Sequence, residues 1–134
     1  VVARVVELSD GLTRRSIDLP IQGDGSETRS FCYIDDGARG ALVAGERGTP
    51  GEIYHVGIEQ ETSIRDLVEM TGEAIGVRVT IVPGPRRHGG AVRRCPDTTK
   101  LRALGYTPTV DLQAGLERTA RWYADRYRTQ GANT

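Results

Sequence analysis

No run of apolar residues in this 134-residue sequence approaches the roughly 20 needed to cross a bilayer, and no basic start followed by an apolar stretch opens it as a signal peptide would. An excess of either charge is also missing. Lys plus Arg and Asp plus Glu number 18 each, which removes the bulk attraction that nucleic acid or an anionic membrane would exploit, so any anion site must be local. Cysteine is scarce: Cys32 and Cys95 are too few for a disulfide framework or a metal-ligand cluster. These absences carry the expectation of a soluble protein of a reducing cytoplasm, with neither nucleic acid nor membrane as partner. Lysine is all but absent too. Lys100 stands alone, so nearly all positive charge is Arg, whose planar fork suits a two-pronged grip on carboxylate or phosphate. A GC-rich genome is the bland account of the same bias at surface positions.

A chain of this length suffices for one domain with a modest core and is too short for two. The reading is one mixed α/β unit over 1–128, built of short strands and four to five helices, with a tail over 129–134 expected to fray. Val1 to Leu8 opens on apolar residues with no capping residue before them, like the end of a helix, which carries the expectation of further chain upstream. Gly23-Asp24-Gly25-Ser26 reads as a turn. The strand after it places Arg29, Phe31 and Tyr33 on one face and Ser30, Cys32 and Ile34 on the other. Asp35 and Asp36 are placed to cap a helix whose apolar stripe is Ala38, Ala41, Leu42 and Gly45 and which Gly48 to Gly51 end. Ile53 to Val56 reads as a buried strand. Thr62-Ser63 then opens an amphipathic helix with Ile64, Leu67, Val68, Thr71 and Ile75 on one face. A strand over Val77 to Val82 leads into the Gly-, Pro- and Arg-rich loop Pro83 to Cys95. Loops beyond about 12 residues are uncommon in compact domains and are often binding loops, which makes this one a site candidate. Asp97 caps a short helix that Gly105 ends, and Asp111 caps a last helix with Leu112, Leu116, Ala120, Tyr123 and Tyr127 facing inward.

Three segments in this order resemble the carboxyl-terminal part of extended short-chain dehydrogenases of the NAD-dependent nucleotide-sugar epimerase/dehydratase family. They are Leu19-Pro-Ile-Gln-Gly-Asp-Gly-Ser-Glu-Thr-Arg-Ser-Phe-Cys-Tyr-Ile-Asp-Asp36; Ile53-Tyr-His-Val-Gly57 with Thr62-Ser-Ile-Arg-Asp-Leu67; and Arg94-Cys-Pro-Asp97 with Lys100, Leu104-Gly-Tyr106 and Pro108. The first is the most specific of the three. The resemblance implies the small substrate-binding lobe of such an enzyme, without a complete Rossmann sheet, holding a UDP- or dTDP-linked sugar for a separate NAD-binding half. It implies that Pro20 and Gln22 run beside the nucleoside, that Ile64 lies near the base, and that Arg29 holds the diphosphate while Arg87 and Arg94 close over it from the loop. Two arginines arriving from different segments are what a partly desolvated diphosphate requires. In the intact family the chemistry is oxidation of the sugar at C4, followed by epimerisation, dehydration or decarboxylation, that is, isomerase or lyase chemistry. Where related members carry an acidic residue shortly after the arginine matching Arg87, this chain has Gly89 and Gly90.

The family's catalytic Tyr and Lys four residues apart are absent: Lys100 would need a Tyr at position 96, which is proline. Gly45, Gly48 and Gly51 match the family's three-glycine spacing for NAD, yet they follow a helix, precede a strand and are interrupted by Pro50, so they read as a loop. The expectation is that this chain by itself does not bind NAD. Several residues have a bland reading that outweighs the sharp one. His55 reads as a core histidine, His88 as a solvated loop residue, Arg86 and Arg93 as solvent-facing, and Trp122 and Tyr123 as packing for the last helix. Cys95 beside Arg93 and Arg94 lacks a base or resolving thiol. The arginine cluster has no interleaved aromatics of the kind an RNA site uses. A stand-alone, non-catalytic module that binds a nucleotide or a protein is the alternative; a large exposed apolar patch speaks against it and a polar surface for it.

Overall fold

The computed structural model describes residues 1–86 and 88–131; Arg87 and residues 132–134 lie outside the described residues. Helix α1 (Val2–Leu8) leads to strand β1 (Ser16–Gln22), the short strand β2 (Thr28–Ser30) and helix α2 (Ile34–Arg47). Strand β3 (Glu61–Ser63) runs directly into helix α3 (Ile64–Ile75), followed by β4 (Arg78–Gly84), the two-residue β5 (Arg93–Arg94), α4 (Thr99–Ala103) and the long α5 (Leu112–Gly131).

Alternation along β1 buries Ile17 and Leu19 on one face. This strand pairs in parallel with β4 from Ser16 beside Arg78 to Gln22 beside Gly84, so both strands end at the same edge of the molecule. The second sheet is small, in the order β3-β2-β5, with β2 antiparallel to β3 and parallel to β5. Val5, Ile17, Leu19, Val68 and Val77 form the core between α1, the parallel pair and α3. Burial of side chains such as Val68 contributes about 2 kcal/mol each. Leu116, Ala120 and Ala124 of α5 are buried where it packs on α1 and α3.

Helix α3 shows why local chemistry sufficed there. The Ser63 hydroxyl accepts the Asp66 amide at 3.0 Å, Leu67, Val68 and Thr71 are buried on one stripe, and Gly76 closes the helix in the left-handed conformation at φ 67°. The cap of the last helix also falls where expected, with the Asp111 carboxylate accepting the Ala114 amide at 2.9 Å. That helix runs to Gly131.

Several expectations give way. The strand after the turn stops at Ser30, so Phe31 and Tyr33 are not part of it. Asp35 and Asp36 lie inside the first turn of α2 and neither caps it; Asp36 is buried and reaches across to another segment. The stripe Ala38, Ala41, Leu42 and Gly45 faces outward, while Asp36 and Gly40 are the buried residues of that helix. Ile53 to Val56 forms no strand: no ladder partner stands beside it among the described residues, and Ile53 is 75% exposed. His55 is accordingly exposed, not a core histidine. An apolar run specifies a strand only where a neighbouring strand and a covering layer exist, and here neither is supplied.

Candidate functional site

The cavity of interest opens at the carboxyl ends of β1 and β4, the side of parallel strands where α/β folds place their ligands. It encloses about 530 Å³ and is lined by Gln22, Glu27, Arg29, Ile64, Arg86, the stretch 88–92 and Arg94. The turn below it is built by glycine. Gly23 has φ 76° and Gly25 φ 84°, and a side chain on Gly25 would come within 3.2 Å of the Arg65 amide nitrogen.

Arg29 and Arg94 are register partners on adjacent parallel strands β2 and β5. Pairing thus brings two guanidinium side chains from remote parts of the sequence to one cavity wall. Arg29 is already engaged: Nη1 donates to the Thr28 and Val92 carbonyls at 2.6 and 3.2 Å, and Nη2 to the Ala91 carbonyl at 2.8 Å. It therefore staples the loop to β2 while two of its five N–H donors, that of Nε and the second of Nη2, stay available. Arg94 makes no ion pair or side-chain hydrogen bond among the described residues and lines a second, more open cavity of about 820 Å³ as well. Arg29 borders both cavities, the second of which also touches Ser30, Cys32, His55 and Cys95.

Arg86 and Arg93 face solvent as expected, and each is also paired with carboxylates. Arg86 Nη2 donates to Asp24 Oδ1 at 3.0 Å and to the Ser26 hydroxyl at 2.6 Å, and its Nε lies 3.5 Å from Glu27 Oε1. The Ser26 hydroxyl and amide, then Arg86, hold the Asp24 carboxyl well below the usual carboxylate range. Arg93 forks onto Glu61 through Nε at 2.9 Å and Nη2 at 2.6 Å, and Glu61 also accepts the Thr28 hydroxyl at 2.8 Å. That network lowers the Glu61 pKa, Arg93 contributing most. Since strands β5, β3 and β2 contribute one residue each, the network clasps the small sheet.

Of the residues expected at a nucleotide site, Gln22, Arg29, Ile64 and Arg94 share this cavity. Pro20 lies in β1 opposite Val82, outside the lining, and Arg87 falls outside the described residues. Glu27, Arg86 and His88 also line it and were not expected there. Glu27 stands inside the most distinctive segment, two residues before Arg29, which was the available signal. The glycines that resemble an NAD motif do not form its setting: Gly48 is the cap closing α2 and Gly51 (φ 84°) precedes the unpaired segment. No strand–turn–helix is made there to aim backbone amides at a pyrophosphate, so these residues do not fit that group.

Two small sheets, one of them parallel and covered by α1 and α3, with arginine-bearing strands in the other, define a mixed α/β lobe. Residues 2–57 match the NAD dependent epimerase/dehydratase family. The chain is 37% identical over 123 residues to the dTDP-glucose 4,6-dehydratase of Streptomyces antibioticus, covering 90% of this chain and 35% of that enzyme. It is 34% identical over 109 residues to a putative UDP-glucose 4-epimerase of Methanocaldococcus jannaschii, covering 81% and 35%. Its fold overlays that of UDP-glucose 4-epimerase of Thermotoga maritima, solved with UDP-glucose, with a TM-score of 0.80 and 28% identity, covering 94% of this chain and 40% of the other. Over 2–57 the chain carries the sequence of the NAD dependent epimerase/dehydratase family, and it spans about a third of the length of the curated relatives it matches. No helix among the described residues is long and apolar enough to cross a membrane.

Proposed function

We propose that this chain is the lobe that binds the nucleotide diphosphate of a UDP- or dTDP-linked sugar and presents the sugar to an NAD-bearing half of the same kind of enzyme, working in the cytoplasm. The observation that carries the reading is the register pairing of Arg29 with Arg94 at the mouth of a cavity that Gln22 and Ile64 also line. A diphosphate bridging the two arginines would leave the nucleoside in the 530 Å³ cavity and direct the sugar into the adjoining open one, because both arginines border both spaces. The reacting groups would come from the other half, since the sequence has no Tyr with a Lys four residues on.

The outward stripe of α2 supports a partner half over a stand-alone module. Ile34 is 73% and Leu42 64% exposed, and Ile53, on the extended segment that follows that helix, is 75% exposed. Exposed apolar surface of this kind marks an interface. The test is calorimetric titration of UDP, dTDP and GDP into the chain and its Arg94→Ala variant, with NAD as control. Binding of a uridine or thymidine diphosphate that Arg94→Ala abolishes, with no heat from NAD, supports the reading. Binding of NAD, or diphosphate binding indifferent to Arg94, refutes it.

A further inference from the structure

We infer that Glu27 holds the 2′,3′-diol of the ribose, making this lobe selective for ribonucleotides over 2′-deoxyribonucleotides. The inference rests on the nucleotide reading above and narrows its substrate class to sugars carried on ribonucleoside diphosphates. Glu27 is the sole carboxylate among the described residues lining the 530 Å³ cavity. Its side chain is only 16% exposed, and among the described residues it makes no side-chain hydrogen bond and a single ion pair, with Arg86 Nε at 3.5 Å. Most of its acceptor capacity is therefore unfilled by protein and open to the cavity it lines, where a carboxylate offers four lone-pair positions to a ligand's donors. Gly23 leaves room for it: a Cβ at that position would stand 2.5 Å from Glu27 Oε1.

The chemistry of the ligand decides what such a group can take. A carboxylate only accepts hydrogen bonds. An ionised diphosphate has no donor and is repelled. Uracil and thymine each offer a single N–H, with acceptors on both sides of it. The ribose diol offers two adjacent O–H donors, which one carboxylate receives together as short, charge-assisted bonds. Ile64 and Val92 leave apolar surface in the same cavity for the face of a base, and Arg29 and Arg94 stand at its mouth for the phosphates. A 2′-deoxyribose has one of the two donors and leaves part of the carboxylate desolvated and unpaired, which costs more than the absent bond alone.

The experiment measures the ratio of dissociation constants for UDP and 2′-deoxy-UDP, and for GDP and 2′-deoxy-GDP, with the wild-type chain, Glu27→Ala and Glu27→Gln. Ratios are read because removing a negative charge strengthens diphosphate binding for every ligand. The wild type is expected to favour each ribonucleotide by about tenfold to a hundredfold, and both variants to bring the ratio to within a few-fold of one. Glu27→Gln keeps the shape of the side chain and decides the matter should Glu27→Ala fail to fold. A wild type that binds ribo and deoxy forms alike, or a preference that survives in the variants, overturns the inference while leaving the nucleotide reading in place. If GDP and 2′-deoxy-GDP bind alike and lose affinity together in Glu27→Ala, the inference is overturned and the carboxylate reads guanine instead. Failure of every diphosphate to bind the wild type sinks the nucleotide reading and this inference with it.

Discussion

Asp36 and Thr109 are 73 positions apart, and both carboxylate oxygens of the one accept the backbone amide of the other at 3.0 Å. Oδ2 also takes the Val110 amide at 2.9 Å, and Oδ1 takes the Thr109 hydroxyl at 3.0 Å and an Arg39 ion pair. This one side chain, 1% exposed, ties the start of α2 to the segment that enters α5. Asp36→Ala would leave the part-buried Thr109 and Val110 amides without their acceptor and is expected to cost about 1–3 kcal/mol of unfolding free energy, read by urea titration.

Acid should act through the same group. Burial pushes its pKa up, but the Val110 and Thr109 amides prevail and hold it below the ordinary Asp value. A depressed folded-state pKa means the stabilisation is fully present above the unfolded value, about 3.9, and is lost as pH falls through the folded one. The unfolding midpoint of the wild type is therefore expected to fall on acidification below about pH 4, with a shallower fall in Asp36→Asn. Parallel acid limbs in the two proteins would count against the assignment.

Arg29 and Arg94 are expected to separate in their effects. Arg29 holds three loop and strand carbonyls, so Arg29→Ala should lower the melting temperature as well as diphosphate affinity. Arg94→Ala should weaken diphosphate binding by about tenfold or more with the melting temperature nearly unchanged. Calorimetric titration beside thermal unfolding of both variants checks this.

The bare stripe of α2 predicts self-association of the chain when it is studied alone. Leu42→Glu with Ile53→Glu, at residues 64% and 75% exposed, should reduce sedimentation-detected association and dye binding without lowering the melting temperature. A drop in melting temperature would show that these side chains pack within the lobe.

Gly76 closes α3 at φ 67°, a conformation in which a Cβ is strained. Gly76→Ala is expected to destabilise by about 1 kcal/mol, or a few degrees in melting temperature. The space around it is open, the nearest atom to a methyl group at that position being Arg15 Nη1 at 3.6 Å, so the cost reports backbone strain rather than a clash.

Elements whose signals are local were legible in the amino-acid order. Ser63, the apolar spacing through Leu67, Val68 and Thr71, and Gly76 specify α3 with contacts spanning a few residues, and Asp111 does the same for the start of α5. The segment around Gly23-Asp24-Gly25 and Arg29 announced the family and most of the cavity wall, because turn chemistry and a fixed spacing survive without knowledge of the fold.

Partnerships across the chain were not legible. Asp36 looks like a cap from its neighbours and becomes a long-range clasp because α2 and the 109–110 segment are brought together. Arg86 and Arg93 are solvent-facing as their sequence suggests, but their ion pairs with Asp24, Glu27 and Glu61 could not be read from it, whereas Arg94, next in sequence to the glutamate-bound Arg93, is left for the cavity. Ile53 to Val56 has the composition of a buried strand yet forms none, and Ile53 lies bare. Composition and period report what a segment is able to bury or bind; which surface or charge meets it is settled only when remote segments pack, since hydrogen bonding and burial are properties of the pair and not of either member.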